Sequence, residues 1–136
     1  ELLQCIELAD YVTVNDYEWR LTSDRTGLDT AAIATKVKAL IVTQGGEGST
    51  IHADGEQIHI PAVPPEDVVD PTGCGDAYRA GILYGLMHGL EWAHTGAIAS
   101  FLGSLKIARR GTQNHHRPVA ELNQMLRDAT GYALTQ

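Results

Sequence analysis

The chain has 136 residues, 43% of them hydrophobic and 20% charged, which fits one compact domain or one part of a larger one. That balance excludes a disordered, collagen-like or coiled-coil chain, and no apolar run approaches the ~20 residues of a membrane-spanning helix. A formal net charge of −7 argues against nucleic acid as a partner, because binding a phosphate backbone needs a basic surface.

The predicted elements alternate. Residues 1–9 read as the tail of an amphipathic helix, so the chain is expected to begin inside a helix rather than at a leader or an opening strand. Tyr11-Val12-Thr13-Val14 reads as a short buried strand, and Asn15 to Leu21 as a helix with a polar start. Ser23 to Gly27 reads as a break. Asp29 then caps a second helix expected to run through Val37. Ala39 to Thr43 is a second buried strand, ending at the glycine turn Gly45-Gly46-Glu47-Gly48. Residues 49–53 and 56–60 flank Asp54-Gly55, a strong two-residue hairpin signal. Pro61, Pro64 and Pro65 keep the next segment extended, and three helices follow near 75–88, 91–108 and 118–129. Strands alternating with helices, then a hairpin, then helices, predict an α/β layered sheet with helices on its faces.

Charge is uneven along the chain. Residues 1–76 hold 14 acidic and 4 basic side chains, whereas residues 77–136 hold 3 acidic and 6 basic. A mildly basic second half suits a phosphorylated ligand, although an ordinary mixed surface gives the same count. Cys5 and Cys74 are too few for a disulfide framework and form no Cys-x-x-Cys zinc pair, so a reducing, cytoplasmic setting is expected. Cys74 stands at a helix start, where a thiolate would be stabilised; a small residue tolerated in a tight loop is the alternative.

Chemistry concentrates in the loop Asp70-Pro71-Thr72-Gly73-Cys74-Gly75-Asp76. Two glycines let the backbone fold tightly, so that amides and a helix N-terminus point into one anion-binding concavity. Asp76 lies at its edge, placed either as a general base for an attacking hydroxyl or as a helix cap. Neither a Walker A sequence nor a G-x-G-x-x-G fingerprint is present, so any nucleotide site is built in another way. Two further candidates follow predicted strands, the edge where α/β sheets bind ligands. Thr43-Gln44-Gly45-Gly46-Glu47-Gly48 offers a hydroxyl and glycine amides to phosphates, or is only a tight turn. Asn15-Asp16-Tyr17-Glu18 offers Glu18 to a magnesium ion through water, or is only a helix cap with a surface Glu.

Taken together, these three segments resemble the C-terminal half of the ribokinase-like (PfkB) family of carbohydrate and nucleoside kinases. The family pattern is Asn-x-x-Glu, then Thr-x-Gly-x-x-Gly, then Asp-Thr-x-Gly-Ala-Gly-Asp-x-Phe-x-x-Gly. Here the last reads Asp70-Pro71-Thr72-Gly73-Cys74-Gly75-Asp76-Ala77-Tyr78-Arg79-Ala80-Gly81, with Pro71, Cys74 and Tyr78 as departures. The resemblance covers nearly the whole chain and implies a three-layer αβα sandwich, of which residues 1–136 would be the ATP-binding and catalytic portion with a β-hairpin and terminal helices. The acceptor side and lid would lie in an N-terminal half outside this sequence.

By the same resemblance, Asp76 matches the catalytic base, and Gly73, Cys74 and Gly75 supply anion-hole amides. Asn15 and Glu18 match phosphate and magnesium positions. Thr43, Gly45 and Gly48 match the nucleotide-phosphate turn, while Ser100 and Gly103 would lie near the adenine. The segment 106–113 matches one that closes the adenine pocket and, in many members, a monovalent-cation site, with Asp70 as the carboxylate ligand of a potassium ion. The implied reaction moves the γ-phosphate of ATP, with Mg²⁺, to a hydroxymethyl group of a small-molecule nucleoside or sugar. The Pro71–Gly81 run, with Gly-Thr-Gln-Asn-His-His downstream, is most similar to adenosine-kinase members. A ribokinase- or fructokinase-like sugar kinase is the alternative. A non-catalytic nucleotide-binding or dimerising piece is the reading from another class, and a homodimer, with no nucleic-acid or membrane partner, completes the expectation. Arg79, three residues past Asp76, is placed to pair with phosphate or with the base.

Overall fold

Residues Tyr11–Asn15 (β1) and Ala39–Thr43 (β2) organise the first part of the chain. In this computed structural model, which describes residues 1–134, they pair in parallel, from Tyr11 opposite Ala39 to Asn15 opposite Thr43. Parallel neighbours need a crossover connection. It is made by two helices, α2 (Asp16–Thr26) and α3 (Thr30–Ala34), after a first helix α1 (Leu2–Leu8) that precedes β1. Four consecutive residues of β2, from Ala39 to Val42, are buried, as expected of a strand covered on both faces. Leu40 and Val42 pack with Ile6 of α1 and Ile33 of α3, and Val12, Val14 and Trp19 close over them.

The sheet continues with β3 (Ser49–Ala53), antiparallel to β2, and then β4 (Glu56–Ile60), in the order β1-β2-β3-β4. Burial alternates along β3 because successive side chains point to opposite faces. The β3–β4 turn falls on Asp54 and Gly55, with φ of 53° and 77°. Both values are positive, as a two-residue hairpin turn matched to strand twist demands.

Two helix boundaries differ from expectation. Ser23 to Gly27 is no break: α2 continues to Thr26 and stops at Gly27, whose left-handed φ of 69° closes it. Thr22 and Thr26 donate their hydroxyls to the carbonyls of Glu18 and Thr22, so these side chains are satisfied along the helix instead of breaking it. Conversely, α3 ends at Ala34 rather than Val37. Val37 leaves the helix to pack on the core beneath β2, and Lys38 donates its amide to Asp10 O.

The chain divides into two compact units, Glu1–His59 and a second that starts at Ile60. In the second, α4 (Cys74–Met87), α5 (Trp92–Ile107) and α6 (Val119–Thr130) are helical. Contact between α4 and α5 is close because α4 has glycine where it meets its neighbour. A Cβ on Gly81 would overlap the Ala99 main chain, and one on Gly85 would overlap the Thr95 side chain. Ile98, Phe101 and Leu105 of α5 share a core with Leu126 of α6, joined by Val63 and Tyr84. None of the helices among the described residues is long and apolar enough to cross a membrane.

Candidate active site

The glycine-rich loop enters α4 through Gly73, whose φ of 84° is left-handed and whose added Cβ would meet Thr112 at 3.2 Å. Glycine is required here on both counts. Cys74 is the first residue of α4 and Asp76 the third, so Asp76 is part of the helix and not its cap. No side chain caps α4, and its N-terminal dipole faces the loop. The Asp76 carboxylate is 82% exposed and accepts a hydrogen bond from Arg79 Nη1 at 3.1 Å, one turn along the same helix. Of the two partners expected for Arg79, the structure shows the Asp76 carboxylate. An exposed carboxylate at a helix start beside a glycine loop can receive a proton from a bound hydroxyl.

Two loop expectations change. The Cys74 amide, expected in an anion hole, donates to Pro71 O at 3.1 Å and closes the tight turn that leads into the helix. The Cys74 thiol is not stabilised as thiolate: burial pushes its pKa up, Asp70 adds to that, and the opposing pull of Lys106 does not compensate. Its Sγ lies 3.9 Å from Asp70 O.

Asp70 anchors the other end of the loop. Its Oδ1 accepts the Thr72 amide and its Oδ2 the Gly111 amide, each at 2.9 Å. The amides of Gly111 and Thr72, with the Thr72 hydroxyl and more distantly Lys106, hold the carboxyl down at about 2, against an ordinary value of 3.8. The main chain is pinned as well, because Val69 and Asp70 both donate amides to Ile107 O, at 2.9 and 3.0 Å. Beneath this junction lies Lys106, fully buried, which sequence reasoning placed in a pocket-closing segment without assigning it a role. Lys106 Nζ donates to Asp70 O at 2.8 Å and to Arg109 O at 3.0 Å. These residues do not fit a potassium ion at Asp70, since an ammonium already sits against its main-chain oxygen and would repel a second cation there.

A cavity of about 350 Å³ opens between the end of α5, α6 and the extended segment after β4. Val63, Pro64, Phe101, Leu105 and Met125 make its apolar wall, and Glu66, Arg109 and Asp128 its polar edge. That size and mixture suit a heterocycle. Ser104 lines the cavity rather than Ser100. The Ser100 hydroxyl donates to Pro61 O at 3.0 Å and accepts from the Val63 amide at 3.1 Å, so it staples the extended segment to α5. Gly103 faces the start of α4: a Cβ there would lie 3.7 Å from Cys74 O. His115 has a shielded Nδ1 with no hydrogen-bond partner, and burial lowers its pKa.

In the first unit, Asn15 and Glu18 form a reciprocal cap on α2. Asn15 Oδ1 accepts the Glu18 amide at 2.8 Å, and Glu18 Oε2 accepts the Asn15 amide at 2.9 Å. No group of three or more His, Cys, Asp or Glu side chains gathers among the described residues. A single half-buried carboxylate such as Glu18 fits magnesium held through water and substrate phosphates, the mode this ion prefers. Thr43 ends β2 and a 3₁₀ turn, Gly45–Glu47, follows. Gly45 and Gly48 have φ of 57° and 92°. The Gly48 amide closes this turn onto Gly45 O at 3.1 Å, and Gly48 O accepts from Gln44 at 2.8 Å.

An α/β chain with a glycine-rich loop at a helix start, an acid in the first turn behind it and a heterocycle-sized cavity has the architecture of a ribokinase-like fold. Residues 1–119 match the model of the pfkB family of carbohydrate kinases, and the chain belongs to that family. It is 33% identical over 114 residues to a nucleoside kinase of Methanocaldococcus jannaschii, covering 84% of this chain and 38% of the relative. A structure of the nucleoside kinase of Burkholderia thailandensis in complex with inosine superposes with a TM-score of 0.94 at 48% identity. That match covers 97% of this chain and 44% of the other. A putative ribokinase from Escherichia coli in complex with ATP and Mg²⁺ superposes with a TM-score of 0.81 at 25% identity, over 93% of this chain and 42% of that one. The chain thus spans about two fifths of the length of the curated relative it matches.

Proposed function

We propose that residues 1–136 are the ATP-binding and catalytic portion of a kinase that transfers the γ-phosphate of ATP to a hydroxymethyl group of a purine nucleoside, adenosine first among them. The observation that carries this reading is Asp76: an exposed carboxylate in the first turn of α4, directly after the Gly73–Gly75 loop. The acceptor oxygen attacks the γ-phosphorus in line, the bond to the β,γ-bridging oxygen breaks, and the acceptor proton passes to Asp76. ADP leaves. The helix N-terminus and the amides of Gly73 and Gly75 receive the charge that builds on the transferring group.

In the second unit, the 350 Å³ cavity takes the adenine of ATP. In the first, Glu18 would hold a hydrated magnesium ion, Asn15 would meet a phosphate, and the turn at Thr43, Gly45 and Gly48 would meet the nucleotide phosphates. Magnesium, when bound, neutralises phosphate charge. Support for a nucleoside acceptor comes from the similarity to nucleoside kinases, one of them in complex with inosine.

The test is ADP release by the full-length protein with ATP and Mg²⁺, supplied in turn with adenosine, inosine, ribose and fructose. Turnover with adenosine, lost in Asp76→Asn, is the expected result. Undiminished turnover by that variant sinks the base assignment. A preference for ribose or fructose moves the protein to the sugar kinases. Absence of nucleotide binding leaves a non-catalytic scaffold.

A further inference from the structure

Taking an ammonium out of water is costly unless protein oxygens replace its hydration. Lys106 is fully buried, and the oxygens that meet its Nζ are main-chain carbonyls from two separate segments: Asp70 O at 2.8 Å and Arg109 O at 3.0 Å. Asp70 begins the catalytic loop, and Arg109 lines the cavity at the end of α5. Around this point the two segments are knitted by amides: Val69 and Asp70 onto Ile107 O, and Gly111 onto the Asp70 carboxylate. A main-chain carbonyl cluster beside a carboxylate is the donor set a free monovalent cation would use. Here the charge is delivered on a side chain.

We propose that Lys106 is a tethered internal cation that positions the Asp70–Gly75 loop, so that phosphotransfer by this protein needs no free monovalent ion. The inference rests on the kinase reading above for its catalytic readout. Lys106 touches no reacting atom in this scheme and is a positioning residue. A second cation beside Asp70 would meet the ammonium as a like charge.

The decisive measurement is the ion dependence of the full-length protein in tetramethylammonium buffer, with potassium or ammonium added. Wild-type kcat is expected to stay unchanged. Lys106→Ala removes the ammonium and leaves room for an ion; its kcat is expected to fall about 10²-fold, the cost of displacing a catalytic group by about 1 Å. Ammonium or potassium should restore a large part of that loss. Lys106→Met fills the same space without charge and should lose as much, with no restoration. Stimulation of wild type by potassium overturns the proposal, as does equal recovery, or none, in both variants. Melting curves read the same point without turnover: ammonium or potassium should raise the Tm of Lys106→Ala and leave wild type unmoved. Ion-insensitive melting of both proteins overturns the proposal even where no acceptor is phosphorylated, and ion-selective melting upholds it there. Failure of the kinase reading is thereby kept separate from failure of this one.

Discussion

Arg79 Nη1 lies 3.1 Å from Asp76 Oδ1, so the candidate base and the nearest cation share one face of α4, a single turn apart. The pair is largely exposed and contributes at most about 1 kcal/mol to stability. Its value is orientational. Asp76→Asn is expected to lower kcat by about 10²–10⁴, the range for losing a general base, with little change in Tm. Arg79→Ala should lower kcat far less. A rise in the KM for ATP in that variant would show that Arg79 meets phosphate instead of holding the carboxylate.

Asp70 confers a pH signature. Its carboxyl is held down at about 2 in the folded chain, against 3.8 ordinarily. A depressed carboxyl contributes stability that is complete above the ordinary value and is lost as pH falls through the folded one. The contribution is therefore whole at neutral pH and disappears between about pH 4 and pH 2. Asp70→Asn should be less stable than wild type at neutral pH, and the two denaturation curves should converge across that window. A constant difference down to the lowest pH would show that the amides of Thr72 and Gly111 do not act through the ionised form.

The glycines of the α4–α5 contact are separable by distance. Gly81→Ala and Gly85→Ala each force a methyl into the neighbouring helix and should cost at least about 1–3 kcal/mol in denaturant titrations. Gly103→Ala, whose Cβ would sit 3.7 Å from Cys74 O, makes an ordinary contact. It should be neutral or stabilising by up to about 1 kcal/mol, the helix propensity difference.

The Asn15–Glu18 box caps α2 and, in the proposed reading, meets magnesium, and different substitutions pull the two apart. Asn15→Ala should cost about 1 kcal/mol, as loss of a helix cap does. Glu18→Gln preserves an acceptor for the Asn15 amide, so its Tm should hold. It removes the charge offered to magnesium, so the Mg²⁺ concentration for half-maximal activity should rise. An unchanged magnesium requirement would reduce Glu18 to a cap.

What was legible in the sequence was local. Asp54-Gly55 announces its hairpin because positive φ at two adjacent residues is a nearest-neighbour demand. The run from Asp70 to Gly81 marks loop, helix start and acid together. The errors arose where composition misled or where partners lie far apart. Ser23-Asp24-Arg25-Thr26 looks like a loop by polarity, yet it is the exposed end of α2, closed by Gly27. Val37 looks helical by spacing, yet burial under β2 draws it out of α3. Lys106 and Asp70 are 36 residues apart, and no periodicity signals that a lysine at the end of an apolar helix will meet carbonyls of two separate segments. Ser100 has an equally remote partner: its hydroxyl reaches back 39 residues to Pro61.

The glycine seam of α4 and α5 has a consequence for motion. The glycine-rich loop leads into α4, while the buried lysine and one wall of the heterocycle-sized cavity belong to α5. Elements bound this closely open as a single cooperative unit. Amide hydrogen exchange at Cys74 and Ala77, whose amides are bonded to Pro71 O and Gly73 O, should slow and quicken in step with exchange at the end of α5. A mobile cavity wall beside a rigid glycine loop is then not a state this chain can visit, and any ligand that orders one will order the other.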